Sequence, residues 1–244
     1  MADRQGETWA IIGASRGLGH MFVQQLLDGG HQVLASLRSL PETAASLWPN
    51  HDGRCSVYDC DMLSEKSIAA FADKLGREHN RIDCVVLNAG VLRHPNRATE
   101  LSYDDFAFHL HTNTIGPIIC AQRLLKAGIS IGKIVFISSD SGSAQRFLDF
   151  EDGFAAYSAS KAALNQALRH MAAELQRKGS DTIVLALHPG EVNTDMAKNV
   201  SLEWEVEGQM TPAESVTACT AVIRSKGKGD SGTFWTWENE PYPW

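Results

Sequence analysis

Short apolar runs alternate with helix-length amphipathic segments along this chain, and that alternation is the strongest constraint on its fold. Seven runs are predicted as strands, and most are continuously apolar, as expected for strands covered on both faces. They are Trp9–Ile12, Gln32–Leu37, Cys55–Tyr58, Cys84–Leu87, Lys133–Ser138, Thr182–Leu187 and Thr233–Trp237. The predicted helices between them are Leu18–Leu27, Glu65–Glu78, Ser102–Lys126, Phe154–Lys178 and Pro212–Arg224. This order predicts an α/β fold: a doubly wound, parallel, seven-stranded sheet with helices on both faces.

The 244 residues contain no Pro/Ser-rich linker, internal repeat or low-complexity segment. A chain of this length is large enough for one sizeable core, so we expect a single domain over residues 1–244. Three loops are long enough to carry specialised functions, namely Val91–Leu101, Ser141–Ala155 and Asn193–Met210.

The charge distribution argues against two classes of partner. The formal net charge is −7 and the basic residues are scattered, so neither a nucleic acid nor an anionic membrane surface is expected as a partner. No segment approaches the roughly 18 apolar residues that span a bilayer. Residues Met1–Glu7 are polar and lack the apolar core of a signal peptide, so we expect a cytoplasmic protein.

The cysteines and histidines do not predict a disulfide framework or a metal site. The five cysteines show no C-x-x-C spacing, so we expect reduced, mostly buried thiols. His109 and His111 form an H-x-H, but on a helix this spacing directs the two rings to different faces.

A glycine-rich turn follows the first predicted strand and opens the first predicted helix. It reads Gly13-Ala14-Ser15-Arg16-Gly17-Leu18-Gly19. Gly13 permits the tight turn, Gly17 lets the backbone approach a pyrophosphate, and Gly19 lets the helix sit close to the sheet. Because the N-terminus of the helix offers free N–H groups and a partial positive charge, the turn predicts a Rossmann-type dinucleotide site.

The end of the second strand favours NADP(H) over NAD(H). An NAD site usually has an acidic residue there to bind the ribose hydroxyls, whereas this chain has Leu37 followed by Arg38. A guanidinium can grip a 2′-phosphate, and Arg16 could reach the same phosphate from the glycine turn. Ser36 and Ser39 could add hydroxyl donors.

Tyr157 and Lys161 lie four residues apart in a strongly helical segment, so both side chains fall on one helix face. A tyrosine with a pKa near 10 is a poor proton shuttle at neutral pH. A nearby ammonium, together with an oxidised nicotinamide, would stabilise the phenolate and lower that pKa. The pair therefore predicts a proton donor, although a lone Y-x-x-x-K is more often an exposed helix face.

Several further motifs occur in order, each at a strand end or a helix start: Asp61-Met62, Asn88-Ala89-Gly90, Asn113, Ser139-x-x-Gly142 and Pro189-Gly190-Glu191-Val192-Asn193-Thr194. Together with the glycine turn and the Tyr157–Lys161 pair, they resemble the short-chain dehydrogenase/reductase family from Trp9 to Trp244. That resemblance implies a reductase or dehydrogenase using a nicotinamide cofactor.

The resemblance implies a role for each motif. Asp61 and Met62 would bind adenine, Asn88 would be mainly structural, and Ala89 and Gly90 would make room for the cofactor. Asn113 would hold a water that links Lys161 to bulk solvent, and Ser139 would hold the substrate oxygen against Tyr157. Ser138 is the alternative to Ser139, although its side chain should point to the other side of the strand. The remaining implied cofactor contacts come from the loop containing Pro189, Gly190, Val192 and Thr194.

Within the family the chain looks most like the small carbonyl reductases of the Sniffer and C-factor type, but it departs from them in three places. Ile12 replaces a threonine that braces the glycine turn. Glu191 stands where that subgroup often has an aromatic residue, and could favour a cationic or hydroxyl-rich substrate or be a solvated loop acid. The segment Gln145–Asp152 lengthens the spacing between Ser139 and Tyr157, as a lid or as surface decoration.

We therefore expect an NADP(H)-dependent carbonyl reductase or alcohol dehydrogenase that acts on a small to medium organic substrate as a homodimer or homotetramer. Two alternatives stay open: a cofactor-binding sensor, and a non-redox pathway enzyme on the same fold. The aromatic tail with Trp235, Trp237, Tyr242 and Trp244 is expected to pack on the core, the alternatives being a pocket wall and a subunit contact.

Overall fold

All seven predicted strands form one sheet. The computed structural model describes residues 6–40, 47–49, 53–149, 151–198 and 209–244, without the side chain of residue 198. The strands are β1 (Thr8–Ile12), β2 (Gln32–Leu37), β3 (Cys55–Asp59), β4 (Arg81–Leu87), β5 (Ser130–Ile137), β6 (Ile183–His188) and β7 (Thr233–Thr236). Their order is β3-β2-β1-β4-β5-β6-β7 and every pairing is parallel. The predicted Rossmann-type α/β fold is confirmed, in one domain.

Helices cover both faces of this sheet. They are α1 (Gly17–Asp28), α2 (Glu65–Glu78), α3 (Tyr103–Leu110), α4 (Gly116–Lys126), α5 (Ala155–Arg177), α6 (Asp195–Lys198) and α7 (Pro212–Ser225). Local signals set several starts: the Ser64 side chain accepts from the Ser67 N–H before α2, and Thr211 and Glu214 form a capping box at α7.

The single helix predicted over Ser102–Lys126 is wrong in one respect, because a π-helical segment, His111–Ile115, separates α3 from α4. The Gly116 N–H donates to the His111 carbonyl, five residues back. Pro117 has no N–H and so cannot supply the α-helical bond to the Asn113 carbonyl, four residues before it. A wider turn accommodates that missing donor.

Strand residues alternate between two apolar cores. On β1, Ala10 and Ile12 face the core under α2, α4 and α5, whereas Trp9 and Ile11 face the core under α1 and α7. This explains why the strands read as continuously apolar, since neither face meets solvent. All five cysteines are free thiols, and Cys60, Cys84, Cys120 and Cys219 are buried, as predicted. Across the described part of the chain, no helix is long and apolar enough to cross a membrane.

The strand order reverses between β1 and β4. From β1 the chain proceeds outward to β2 and β3, and then returns to β4 on the other side of β1. In open parallel sheets, ligands bind in the crevice at the carboxyl ends of the strands at this switch point. The glycine turn after β1 and the Asn88-Ala89-Gly90 segment after β4 both lie there.

Candidate active site

The glycine turn is held tightly against the residues that follow β4. Gly13 has φ +89°, and a Cβ added to it would lie 2.6 Å from the Ala89 Cα. A Cβ on Gly19 would overlap the Gly13 carbonyl and lie 2.6 Å from Asn88 Nδ2. Asn88 Nδ2 donates to the Gly13 carbonyl at 2.8 Å. Glycine is therefore required at both positions, and Asn88 fixes the turn to β4.

The first turn of α1 and the loop after β6 face each other. Gly17 has φ +56°, and a Cβ there would come 3.7 Å from the Thr194 Cγ2. Ser15 and Arg16 are exposed beside this turn, and Leu18 is half-buried against the core. The helix N-terminus offers unsatisfied N–H groups to a phosphate between the turn and Thr194. The residues present thus fit a dinucleotide pyrophosphate.

Ser36 does not have the role that the sequence suggested. Its side chain is fully buried and its Oγ accepts from the Gly13 N–H at 3.1 Å, so it cannot reach a 2′-phosphate. The expectation of a phosphate donor at Ser36 is wrong, because the β2 backbone directs this hydroxyl under the glycine turn. Ser36 supplies a brace at the turn where Ile12 has no hydroxyl.

The other predicted cofactor residues on this side lie at the carboxyl ends of β2 and β3. Arg38 follows β2 and is exposed, like Arg16. Asp61 is half-buried after β3, where its Oδ1 accepts from the Leu63 N–H at 3.0 Å. Met62 is buried, and a Cβ on Gly116 would lie 2.7 Å from the Met62 Cβ, so α4 packs directly on this segment.

Ser139, Tyr157 and Lys161 come together beyond the end of β5. The Ser139 side chain acts on Tyr157 by hydrogen bonding and lowers the pKa of the tyrosine. Lys161 Nζ lies 5.7 Å from the Tyr157 ring centroid and donates to the Ile137 carbonyl at 2.8 Å. Lys161 is only 4% exposed, so the site contains a buried ammonium group close to the Tyr157 ring.

The choice between the two serines follows from the direction of their side chains. Ser138 Oγ donates to Asn165 Oδ1 at 2.6 Å, in the interior. Ser139 Oγ faces Tyr157 and also lies within 3.0 Å of Asp140 Oδ1. Adjacent residues of a strand point to opposite sides, so only Ser139 can contact a substrate held by Tyr157.

Asn113 lies in the π-helical segment and is completely buried. Its Oδ1 accepts from the Val91 N–H at 2.8 Å, and its Nδ2 donates to the Val91 carbonyl at 2.9 Å and to Ser160 Oγ at 3.0 Å. The side chain therefore ties the loop after β4 to the helix that carries Tyr157 and Lys161.

Gly90 lies where this frame meets the cofactor crevice. A Cβ on Gly90 would come 3.4 Å from Asn113 Oδ1 and 3.8 Å from Lys161 Nζ. A side chain here would begin to fill the space in front of the lysine, which is where a nicotinamide ribose would have to lie. The missing side chain at Gly90 supports the fit of a nicotinamide cofactor.

The loop after β6 closes the other side of the crevice. Ser215 Oγ donates to the Pro189 carbonyl at 2.7 Å, and Gly190 has φ +82°. A Cβ on Gly190 would collide with the Met210 Cε and lie 2.7 Å from the Trp237 indole. Val192 is buried and forms a bridge with Met210. The loop is thus held by the β7 tail and by α7.

The protein's own groups keep the Tyr157 hydroxyl protonated. Burial is the main cause that raises the pKa of Tyr157; the Ser139 hydrogen bond opposes it, and the charges of Asp140, Glu191 and Glu151 raise it further. The lowering of this pKa by Lys161 together with an oxidised nicotinamide stays a prediction. Burial also lowers the pKa of Lys161 to about 8.

Three carboxylates lie close enough for their charges to act on Tyr157, and sequence reasoning singled out only one of them, Glu191. Asp140 is adjacent to Ser139, and Glu151 Oε1 accepts from Ser141 Oγ at 2.9 Å. Burial raises the pKa of Glu151 to about 7. Partial loss of solvent at the carboxyl group and the charge of Asp140 raise the pKa of Glu191. Glu191 therefore belongs to the charged environment of Tyr157, although the residue is exposed.

Asp140, His188 and Glu191 are spaced as metal ligands are, with ligand atoms all within 4.8 Å of one another. However, His188 Nδ1 accepts from the Asp140 N–H at 3.2 Å, so that ring nitrogen already has a partner. The other pair considered, His109 and His111, points in two directions, as expected. His109 is buried, and its two ring nitrogens bond the Arg93 N–H and the Asp105 carbonyl.

The aromatic tail packs on both cores, as expected. Trp235 and Trp237 lie against the α1/α7 core, and Tyr242 and Trp244 lie against the other core. Trp244 stacks on Phe234 with 5.5 Å between ring centroids, and Tyr242 stacks on His188 at 6.3 Å. Since His188 precedes the cofactor loop, the tail also supports the site from behind.

The additional segment Gln145–Asp152 is attached at both ends, and Phe150 lies outside the described residues. The Gln145 N–H donates to the Trp244 carbonyl at 2.7 Å, and Arg97 Nε lies 2.8 Å from an Asp152 carboxylate oxygen. Between these anchors Phe147 is 84% exposed. The segment places Glu151 in contact with Ser141, two residues after Ser139, which is a contact that neither a lid nor surface decoration describes.

Comparisons with known proteins agree with this arrangement. The sequence profile of the short chain dehydrogenase family matches residues 7–204. An oxidoreductase of Saccharomyces cerevisiae described as uncharacterized is 31% identical over 95% of this chain and 95% of its own. The NADPH-bound carbonyl reductase from chicken fatty liver superposes with a TM-score of 0.86, at 27% identity over 98% of this chain and all of that one.

The chain therefore belongs to the short-chain dehydrogenase family of oxidoreductases. The predicted resemblance to carbonyl reductases of the Sniffer type is confirmed in the fold. The carbonyl reductase Sniffer of Drosophila melanogaster matches with a TM-score of 0.81, covering 99% of this chain and all of that one at 23% identity.

Proposed function

We propose that this protein is an NADP(H)-dependent reductase of small to medium organic carbonyl compounds, working reversibly on the corresponding alcohols. The observation that carries the proposal is the contact of Ser139 with Tyr157 above the buried Lys161 ammonium. These groups are placed to hold a carbonyl oxygen, protonate it and position a ribose.

The arginines and the structural neighbours support NADP(H) as the cofactor. Arg16 in the glycine turn and Arg38 after β2 are both exposed, and Leu37 stands where an NAD site usually has an acid that would repel a 2′-phosphate. The structures of the chicken carbonyl reductase and of a Burkholderia multivorans family member were determined with NADPH and NADP bound. The second of these is 26% identical to this chain, with a TM-score of 0.82.

The chain's own residues have distinct tasks in the proposed reaction. A bound nicotinamide would supply the hydride in reduction and accept it in oxidation. Ser139 donates a hydrogen bond to the carbonyl oxygen, and Tyr157, whose raised pKa keeps its proton in place, gives that proton to the developing alkoxide. Lys161 binds the ribose and stabilises the phenolate, and Asn113 holds the helix that carries both residues. Most of the rate then comes from orientation and electrostatic preorganisation.

The proposal is tested by titrating purified protein with NADPH and NADH and then following NADPH oxidation with a panel of ketones, aldehydes and quinones. We expect tighter binding of NADPH, turnover of at least one carbonyl class, and a Tyr157→Phe variant that binds NADPH but loses turnover. Failure to bind either dinucleotide would overturn the proposal. Binding without oxidation would favour the sensor, and proton exchange or ring closure without oxidation would favour the non-redox enzyme.

The homodimer or homotetramer stays a prediction. The α3–α4 region carries exposed apolar side chains that an assembly could cover, among them Tyr103, which is 87% exposed, and Ile115, which is 47% exposed. Sedimentation equilibrium of the wild type and of a Tyr103→Ser, Ile115→Ser double variant would measure the oligomeric state and the contribution of this surface to it.

A further inference from the structure

Two side-chain hydrogen bonds connect Ser139, the neighbour of the Tyr157 side chain, to a carboxyl group. Hydrogen bonding from Ser139 lowers the pKa of Tyr157, which places the two side chains next to each other. Ser139 Oγ lies 3.3 Å from Ser141 Oγ, and Ser141 Oγ lies 2.9 Å from Glu151 Oε1. Each member is a hydroxyl or a carboxyl group that can both donate and accept a hydrogen bond when it carries a proton. The series is therefore chemically suited to passing protons.

We infer that Glu151 is a proton-delivering residue for Tyr157, acting through the hydroxyls of Ser139 and Ser141. This inference rests on the proposed carbonyl reductase function. The set Tyr157, Ser139, Ser141 and Glu151 is called the Glu151 relay below. Because the hydroxyls of Ser141 and Ser139 lie between Glu151 and Tyr157, the inferred role of Glu151 is to set the protonation of Tyr157 between turnovers.

The position of Glu151 fits this role. It is half-buried, so one end of the relay reaches solvent while Ser139, at the other end, is only 8% exposed. Burial, opposed by the Ser141 hydrogen bond, brings the pKa of Glu151 to about 7, where a carboxyl group exchanges protons readily at neutral pH. The residue belongs to the segment that lengthens the Ser139–Tyr157 spacing, so the relay is a property of this chain's own insertion.

The proton balance in the direction of reduction is complete. When hydride adds to the carbonyl carbon, a C–H bond forms and the π electron pair of the C=O bond moves to the oxygen. The Tyr157 O–H gives its proton to this negatively charged oxygen. The phenolate then takes the Ser139 proton, Ser139 takes the Ser141 proton, and Ser141 takes the proton of the neutral Glu151 carboxyl. Solvent reprotonates Glu151. In alcohol oxidation every transfer runs in the opposite sense, and the ionised Glu151 accepts the proton.

The charged groups around Glu151 set the pH range of the relay. Asp140 and Glu191 face it and raise the pKa of its carboxyl group. The charge of Glu151 also acts on Tyr157 and Tyr242, and the Arg146 guanidinium lies 5.4 Å from the Tyr242 ring centroid. Ser139 Oγ also lies 3.0 Å from Asp140 Oδ1, so Asp140 competes with Ser141 for its proton. We expect the reductive relay to fail as the pH rises through about 7 and Glu151 ionises.

The test compares wild type, Glu151→Gln and Ser141→Ala in steady-state NADPH oxidation, with a carbonyl substrate that the wild type turns over. Glu151→Gln keeps the size and one hydrogen bond but holds no exchangeable acidic proton. We expect both variants to bind NADPH as tightly as wild type and to lose roughly tenfold in kcat at pH 6, below the 10²–10⁴ of direct proton transfer because water remains a proton source. The wild-type fall in kcat near pH 7 should vanish, and the solvent deuterium isotope effect on kcat should rise.

Asp149→Asn is the matched control, since Asp149 is an exposed carboxylate of the same segment. It should retain the wild-type pH profile and isotope effect. Circular dichroism and thermal unfolding show whether each variant is folded; if Glu151→Gln does not fold, Ser141→Ala decides. A folded variant with the wild-type profile overturns the relay while leaving the reductase function intact. If the wild type fails to oxidise NADPH with every carbonyl compound of the panel, the proposed function is overturned and, with it, the relay.

Discussion

Asn96 caps the helix that carries Tyr157, although it lies in a different loop, because its Oδ1 accepts from the Ala156 N–H at 2.6 Å. The same oxygen lies 3.3 Å from the Tyr157 N–H, and Asn96 Nδ2 donates to the Arg93 carbonyl. The side chain is 3% exposed. A buried amide from the loop after β4 thus satisfies the first turn of α5 and fixes the position of Tyr157.

Replacing Asn96 by alanine should leave these N–H groups buried without a partner. We expect the free energy of unfolding to fall by about 1–3 kcal/mol. Because Tyr157 is at the freed end of α5, kcat should fall more than the affinity for NADPH. Urea unfolding and steady-state kinetics measure the two effects. Asn80→Ala is the control, since Asn80 is exposed and a change there should stay within about 0.5 kcal/mol. Equal free energies of unfolding for Asn96→Ala and Asn80→Ala would refute the capping role.

Replacing Arg38 by aspartate should shift the cofactor preference from NADPH toward NADH. The change removes a guanidinium and adds a charge that repels a 2′-phosphate, so we expect the Kd for NADPH to rise about 10–100-fold, the worth of one or two charge-assisted hydrogen bonds. The Kd for NADH should change little or fall. Isothermal titration of both dinucleotides measures the ratio. Arg77→Asp, an exposed arginine in α2, should leave the ratio unchanged.

Lys161→Met should make the protein more stable while abolishing turnover. Burial lowers the pKa of Lys161 from 10.5 to about 8, so its charged form is disfavoured in the folded protein at neutral pH. Between about pH 8 and pH 10.5 the lysine is neutral in the folded protein and still charged in the unfolded chain. The free energy of unfolding of the wild type therefore rises as the pH increases through this range.

We expect Lys161→Met to raise the free energy of unfolding by about 1–3 kcal/mol at pH 7. This figure allows for the lost hydrogen bond to the Ile137 carbonyl, and the difference should vanish near pH 10.5. Chemical unfolding across this pH range measures it. Lys178→Met, at an exposed position, should show no such pH-dependent gain. A Lys161→Met variant less stable than wild type at pH 7 would contradict the lowered pKa.

Glu151→Gln should stabilise the protein in alkaline but not in acidic solution. The folded pKa of Glu151 is raised from 4.5 to about 7, so its ionisation weakens the fold as the pH rises through about 7. With a discount for the partial exposure of the side chain, about 1 kcal/mol is at stake, which corresponds to roughly 2–4 °C in Tm. Thermal unfolding at pH 5 and pH 8 measures it, and a shift of equal size at both values would argue against a raised pKa.

The strands, the glycine turn and the common face of Tyr157 and Lys161 could be predicted because they obey local rules. Continuous apolar runs identify strands buried on both faces, and a glycine is diagnostic where φ is positive, as at Gly13. The i, i+4 spacing of Tyr157 and Lys161 fixes their common face before any tertiary structure is known. What these predictions share is that each depends on residues close together in the chain.

The parts that sequence reasoning missed depend on contacts between distant segments. Asn96 and Ala156 are 60 residues apart, and nothing near Asn96 in the chain announces a helix cap. The direction of the Ser36 hydroxyl, under the glycine turn, depends on the register of β1 against β2. The π-helical segment is the exception, since Pro117 removes the donor for the Asn113 carbonyl and is a signal that the sequence does contain.

The reversal of strand order between β1 and β4 divides the crevice into two regions that are built from different segments of the chain. The residues predicted to bind the dinucleotide phosphates and adenine come mainly from the loops after β1, β2 and β3, whereas the groups around Ser139 come from the segments after β5 and β6. The insertion Gln145–Asp152 lies on the β5 side of the reversal, and the glycine turn lies on the β1 side, where Asn88 Nδ2 holds the Gly13 carbonyl. The length of this insertion can therefore change around Ser139 without moving the glycine turn.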